Sequence, residues 1–518
     1  MRLLWHIFKK DARRLWWQVA LTLGLLAWVA HLDRWRADPI PGSAEGWLNI
    51  LLPFAWSYLI SLLILQDPLV GDREFWPTLP CRRPVMLGAK ALFVLAFIHG
   101  PYFLAQAAIL GARGFSPSAY LPELLWKQVL LLAVLTLPAM ALAALVENVV
   151  QFLLIAVVTC AAVVLMSTYA ASAYFANRMP VDATSNLIAL FLAASGAFAI
   201  TMLQYGWRRT AVSRWLAIAA AVGAAALYVW LPREEVAAAF SPAPAGAKFS
   251  VSLSPRKEPL TERERNNLGM AGILEVAVPI EVSGVPSGAT VRYSQLALEI
   301  RAPGGERYQA DASRRLTYGK APLQASLFPW DAPTLQVLML GRALYGRIGN
   351  TAVTLRGQLI LEFHRRGTPT RMAVGARSAI PGVGICSTAI TEGRFRWDML
   401  KVDCESPSEI PNPTRVTLLE PNTGWEWPSE LVPNFASYVL SQSVTWLSPL
   451  SHRDAYLPLT TEEPYKSMGA RRDLVPQDIL ATAHLEIVPE PVTGYAIVEY
   501  EIPGITLSKY VVPPPAGR

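Results

Sequence analysis

Hydrophobic and polar positions follow two different rhythms along this chain. Through residue 231 the apolar residues come in long, nearly charge-free runs. A helix needs about 20 apolar residues to cross a hydrocarbon core about 30 Å thick. Leu15–Ala30, Trp47–Leu65 and Ala91–Leu110 meet or nearly meet that length. Gln128–Ala173 is too long for one span, because a helix of that length would reach about 69 Å. Glu147 and Asn148 divide it into a fourth and a fifth span, and Leu187–Leu203 and Trp215–Leu231 supply two more. The pattern predicts an α-helical polytopic membrane bundle of about seven spans over residues 1–231. Ahead of the first run, Leu3, Leu4, Trp5, Ile7 and Phe8 mix with Lys9, Lys10, Arg13 and Arg14. No small-residue cleavage pattern follows, so this is not expected to be a cleavable leader. An amphipathic helix lying in the interface is the alternative.

Beyond residue 231 the period changes. Residues 232–248 have an Ala and Pro bias (Ser241, Pro242, Ala243, Pro244, Ala245) and read as a linker. After it, Val353, Leu355, Leu359, Leu361 and Phe363 alternate with Thr354, Arg356, Gln358, Glu362 and His364. That is the pattern of a half-buried strand. Phe395, Trp397 and Met399 alternate with Arg394, Arg396 and Asp398 in the same way. Ile273–Val282, Thr290–Arg301 and a closing pair, Ala483–Val488 and Tyr495–Ile502, are further strands. Residues 249–518 are therefore expected to form a mainly-β domain of one or two β-sandwiches.

Composition agrees with this division. Hydrophobic residues make up 53% of the 518, and charged residues 16%, against the roughly 25% usual for a soluble domain. Twelve of the 17 tryptophans fall in the first 231 residues. The net charge of +7 does not imply nucleic acid, since no recognition module accompanies it. Basic residues beside apolar runs instead set orientation in a bilayer. Arg73, Arg82, Arg83, Lys90, Arg208, Arg209 and Arg214 outweigh Arg34, Arg36, Arg113, Lys127 and Arg178 in the alternate loops. The amino terminus is thus expected inside a bacterial inner membrane, and with seven crossings the β-rich domain is extracytoplasmic. There Cys386 and Cys404, flanking an alternating segment, are candidates for a disulfide across a hairpin. Two unrelated buried thiols are the alternative. Cys81 and Cys160 fall in an inner loop and a span, where reduced thiols are expected.

Catalytic motifs are missing. The Gly319-Lys320 pair has Arg314 where a phosphate-binding loop needs glycine, and no zinc-protease or Cys-x-x-Cys pattern occurs. Ser451, His452 and Asp454 read as a polar loop, since adjacency along a chain is not triad geometry. Gly382 and Gly384 read as a turn before Cys386. The chain is not expected to be an enzyme or to hold a cofactor or metal. His99, followed by Gly100 and Pro101, is an ionisable group inside a span and so a functional candidate. A Pro kink whose His bonds a neighbouring helix is the plainer reading, and Pro53 and Pro138 also read as kinks.

The loop at 67–90 between the second and third spans combines Asp72, Arg73, Glu74, Phe75 and Trp76 with Arg82 and Arg83. Alternating charge with exposed aromatics suits a docking patch, although interfacial anchoring would use the same aromatics. With its Asp72–Pro80 phrase, Arg82-Arg83 and Lys90, and a second phrase Gln204–Arg209 with Ser213-Arg214, the chain resembles the permease subunits of type 2 ABC exporters over residues 1–214. The resemblance implies a cytoplasmic coupling loop seated on a separate ATPase subunit. It also implies a homodimer, or a heterodimer with another permease, surrounded by membrane lipid. A seventh span and an outer domain depart from the usual six-span pattern. A membrane-anchored extracytoplasmic binding or sensory module is the rival reading.

Overall fold

The computed structural model describes residues 2–35, 44–66, 83–159, 161, 183–207, 209–230, 233–243, 249–254, 274–286, 289–310, 323–328, 334–392, 398–407, 413–422, 424–433, 448–460 and 475–511. An amino-terminal helix bundle is followed by a mostly-β region of several sheets.

Helix Arg2–Arg14 comes first and bends by 73° into the apolar helix that begins at Trp16. Ala44–Leu65, with Pro53 inside it, is the next apolar helix. Pro84–Arg113 and Leu121–Leu145 follow, then Val149–Thr159, Ala183–Trp207 and Thr210–Trp230. Among the described residues four helices are long and apolar enough to cross a membrane, or five if the bent pair is one span, against the seven expected. Leu51–Leu65 and Val149–Thr159 are shorter apolar stretches. Trp17, Leu104, Val150, Phe191, Trp215 and Val222 are exposed on the outside of the helices. Such an apolar exterior belongs in lipid, where a helix satisfies its backbone internally. Inside, Trp56, Leu59, Leu63, Phe93, Ile98 and Tyr102 form the bundle core.

Seventeen strands are described in the β-rich region. One four-stranded antiparallel sheet has the order β1 (Ser250–Leu253), β2 (Leu274–Ser283), β6 (Thr334–Leu340), β5 (Leu323–Phe328). A second has the order β17 (Val492–Thr506), β7 (Ala352–Arg365), β3 (Ala289–Arg301), β4 (Arg307–Ala310). Their inner faces share one core, with Val276, Ile280 and Leu338 meeting Ile300, Leu355, Leu361 and Tyr500. The remaining strands are β8 (Thr370–Ala373), β9 (Arg377–Ile380), β10 (Gly384–Glu392), β11 (Asp398–Ser406), β12 (Thr414–Glu420), β13 (Trp425–Pro433), β14 (Ser451–Thr460), β15 (Val475–Pro476) and β16 (His484–Pro489). They form a nine-stranded sheet, β8-β16-β12-β13-β14-β11-β10-β9 with β15 beside β14. The β13–β14 link is only two residues long, and the two halves fold onto a common core. This second unit is inserted between β7 and β17 of the first.

The alternation expected in β7 is present: Val353, Leu355, Leu359, Leu361 and Phe363 are all buried. Its other face is exposed only near the start. Glu362 and His364 are buried as well, because the second unit covers that end of the strand. The closing pair of strands does not pair with itself; β16 lies in the nine-stranded sheet and β17 beside β7. Of the linker, residues 233–243 are described. Residues Arg233–Phe240 are helical, and Ser241 and Ala243 exchange backbone hydrogen bonds with Tyr495.

Candidate functional site

At the end of the bundle away from the β units, Lys90 donates to Asp11 Oδ2 at 2.9 Å and to the Leu63 carbonyl at 2.8 Å. Neither Lys90 nor Asp11 is exposed. A buried ammonium must be both paired and hydrogen-bonded to be tolerated, and here one side chain ties three elements. Helix Arg2–Arg14 is held by Asp11, the close of Ala44–Leu65 by Leu63, and the first turns of Pro84–Arg113 by Lys90. Phe8 reinforces the junction by stacking on Phe97 at 5.8 Å.

These elements flank the segment expected to dock a partner. Asp72, Arg73, Glu74, Phe75, Trp76 and Arg82 lie outside the described residues. Arg83 opens helix Arg83–Val94, so the loop 67–90 is shorter than expected at its far end. Lys90 and Lys127, expected in loops, sit inside helices and are buried, and Arg113 is the last residue of its helix.

His99 is buried mid-helix. Its Nδ1 lies 3.1 Å from Gln128 Oε1 and its Nε2 3.2 Å from Thr136 Oγ1. An amide oxygen only accepts, so Nδ1 carries the proton and Thr136 donates to Nε2. Gln128 Nε2 in turn faces Gln106 Oε1 at 3.5 Å. The result is a one-way polar chain, Thr136 to His99 to Gln128 to Gln106, between helices Leu121–Leu145 and Pro84–Arg113. Each helix widens into a π-turn at this level, Leu95–His99 in one and Leu132–Thr136 in the other. The cause is visible in the sequence. Pro101 and Pro138 each follow a π-turn by two residues, and a proline cannot donate and crowds the carbonyl four residues back; five-residue bonds relieve that crowding. His99 and Thr136 close the two turns and meet each other. The bonded-His reading of His99 therefore describes what is seen, and the spacings 99/106 and 128/136 were the signal for its partners.

At the opposite end, Arg113 donates to Glu405 Oε1 at 2.9 Å with both side chains nearly buried. Ile109, Leu110, Phe115 and Leu124 form an apolar cluster with Ile385 and Leu450 of the inserted unit. Arg377 lies 3.7 Å from Glu405 Oε2 and reaches the Arg113 carbonyl at 3.4 Å. Glu405 stands on β11 beside Cys404, which faces Cys386 on β10 in register. The two sulphurs are 2.08 Å apart, as expected for the hairpin pair. Gly382 and Gly384 form the preceding turn with φ of 75° and 127°. A Cβ at Gly384 would meet the Glu405 carbonyl oxygen at 1.9 Å, so only glycine fits this close approach.

Ser451, His452 and Asp454 prove to lie on strand β14 and not in a loop. Alternation puts His452, Asp454 and Tyr456 on one face and Ser451 on the other, where Ser451 bonds the Ser406 carbonyl. No triad can form. His452 lies 3.7 Å from Asp403, and Lys401 3.5 Å from Asp454. Burial pushes the Asp454 carboxyl up to about 6 against the pull of Lys401. Asp403, directly across the ladder, is held below its ordinary range by His452 and Lys401 despite its burial. Among the described residues no group of His, Cys, Asp and Glu could hold a metal ion.

No family model matches the chain, and no curated protein or solved structure matches it either.

Proposed function

We propose that this chain is the permease-like subunit of an ABC exporter, working as a dimer and driven through residues 67–90 by a separate ATPase. In this reading the bundle crosses a bacterial inner membrane seven times with its amino terminus in the cytoplasm, and the β units lie outside it. The observation that carries the reading is the Lys90 junction. A partner pressing on residues between Leu65 and Arg83 acts on two helices whose adjoining ends are locked to each other and to the amino-terminal helix. Force at the loop then displaces helices as a body, which is what a two-state transporter requires.

The placement of the β units supports the same topology. Asp11 and Lys90 share one end of the bundle while Arg113 meets Glu405 at the other. In this reading an odd number of crossings, seven, separates the amino terminus from the β units, and the opposite placement of the two ion pairs supports it.

Replacing Phe75 and Trp76 by Ala tests the coupling role. Loss of two aromatic anchors should remove on the order of 2 kcal/mol of ATPase binding, about thirtyfold in affinity. Co-purification and stimulated ATP hydrolysis should fall together while membrane insertion is unchanged. If gently purified wild-type protein brings no ATPase, or the double variant keeps it, the anchored-module reading replaces this one.

A further inference from the structure

Helix Pro84–Arg113 is clamped by a buried ion pair near each end, Lys90 to Asp11 and Arg113 to Glu405. Lys90 and Arg113, 23 positions apart, are about 34 Å apart along the helix at 1.5 Å per residue, about the thickness of a hydrocarbon core. One helix thus joins the proposed coupling surface to the inserted β unit on the opposite side. Neither clamp is a pliant surface contact. Separating either pair leaves a buried carboxylate with only a longer contact, Lys10 at 3.4 Å for Asp11 and Arg377 at 3.7 Å for Glu405, so each junction resists separation while the helix is displaced.

The receiving end is stiff as well. Gly114, at φ of 93°, stops the helix directly at Arg113, so no flexible spacer intervenes between the helix and its contact. Glu405 lies in the strand that the Cys386–Cys404 pair ties to β10, and Ile385, its register partner, joins the same apolar cluster as Ile109 and Leu124. A displacement of Arg113 is therefore delivered to a cross-linked hairpin and not absorbed by a loop.

We propose that the inserted β unit is a moving output of the transport cycle: helix Pro84–Arg113 acts as a connecting rod that shifts this unit when the ATPase partner closes. This rests on the permease reading above and adds a mechanical task for the outer region that transport alone does not require.

The test uses the full chain in lipid nanodiscs, with Cys81 and Cys160 replaced by Ser and spin labels on cysteines placed at Arg371 and Val212, both exposed. In the resting protein, R113Q/E405Q should broaden the distance distribution and R113K, which keeps the cation, should leave it narrow. With the co-purified ATPase and ATP plus vanadate, the parent distance should shift by about 5 Å, the scale of one helical turn. R113Q/E405Q should lose that shift and retain stimulated hydrolysis. An unchanged resting distribution in R113Q/E405Q overturns the proposal, and so does a shift that persists in it. A parent that hydrolyses ATP under stimulation with no shift overturns the connecting rod and leaves the permease reading standing. A parent that binds no ATPase overturns both.

Discussion

Lys90 and Asp11, 79 positions apart in the chain, meet at 2.9 Å with neither side chain exposed. Lys90→Met leaves the buried Asp11 carboxylate with only the more exposed Lys10 ammonium, 3.4 Å from Oδ1, and should cost about 3 kcal/mol. Lys90→Met with Asp11→Leu should recover most of that loss, because replacing both partners removes the stranded charge. Thermal unfolding of the purified protein in detergent reads the difference. Equal destabilisation by the single and double variants would count against the pairing.

Cys386 and Cys404 give a second expectation. Protein isolated under thiol-blocking conditions should yield a cross-linked peptide pair with a mass two hydrogens below the sum of its reduced peptides. Cys386→Ala with Cys404→Ala should lower the stability of the inserted unit by about 3 kcal/mol, read as faster hydrogen exchange in β10 and β11. Labelling of both thiols in native membranes would contradict the bond.

His364 makes the joint between the two β units sensitive to acid. Its Nδ1 donates to the Glu490 carbonyl at 2.9 Å, and Glu362 lies 3.3 Å from Nε2. Arg292 and Arg415 bracket the Glu490 carboxylate, and Arg292 also pairs with Glu430. Burial, aided by Arg292, lowers the His364 pKa to about 4. The unfolded chain, titrating near 6.5, binds the proton first on acidification, so stability is full above that value and falls as pH drops toward 4. The loss between pH 7 and pH 5 should be about 2 kcal/mol. His364→Asn should flatten that part of the profile in denaturant unfolding at the two pH values. An unchanged slope would refute the assignment.

Sidedness has its own check. A reporter fused after residue 240 should register as extracytoplasmic, and one fused at Cys81 as cytoplasmic. Both on one side would sink the proposed seven-span topology.

Periodicity carried most of the architecture. Apolar runs coincide with the described apolar helices and alternation located β2, β3 and β7, because burial on one face imposes those periods directly. The Cys386/Cys404 hairpin was marked by its cysteines, and of the alternating run Arg394–Met399 only Asp398 and Met399, at the start of β11, are among the described residues. What escaped was set by tertiary contact. Lys90 and Lys127 look like loop charges until a partner buries them. The second face of β7 looks solvated until another unit covers Glu362 and His364. The Ser451, His452 and Asp454 run looks like a loop because its polar face is buried by its neighbours Asp403 and Lys401 and not by apolar residues. At the His99 chain the histidine was visible as an ionisable group in an apolar run, but Gln106, Gln128 and Thr136 lacked charge to draw attention.

The nesting of one β unit within the other has a consequence for synthesis. Strands β8 to β16 are contiguous in the chain, so that unit has all its residues once β16 has left the ribosome. The unit that begins first must wait, since β7 gains its long partner only when β17, residues Val492–Thr506, is made. Until then one side of β7 is an open edge, and open edges pair readily with other chains. A stop codon shortly before residue 492 would thus spare the later-coded unit, which meets the helix bundle through Arg113 and Glu405, and leave unfinished the unit that begins first.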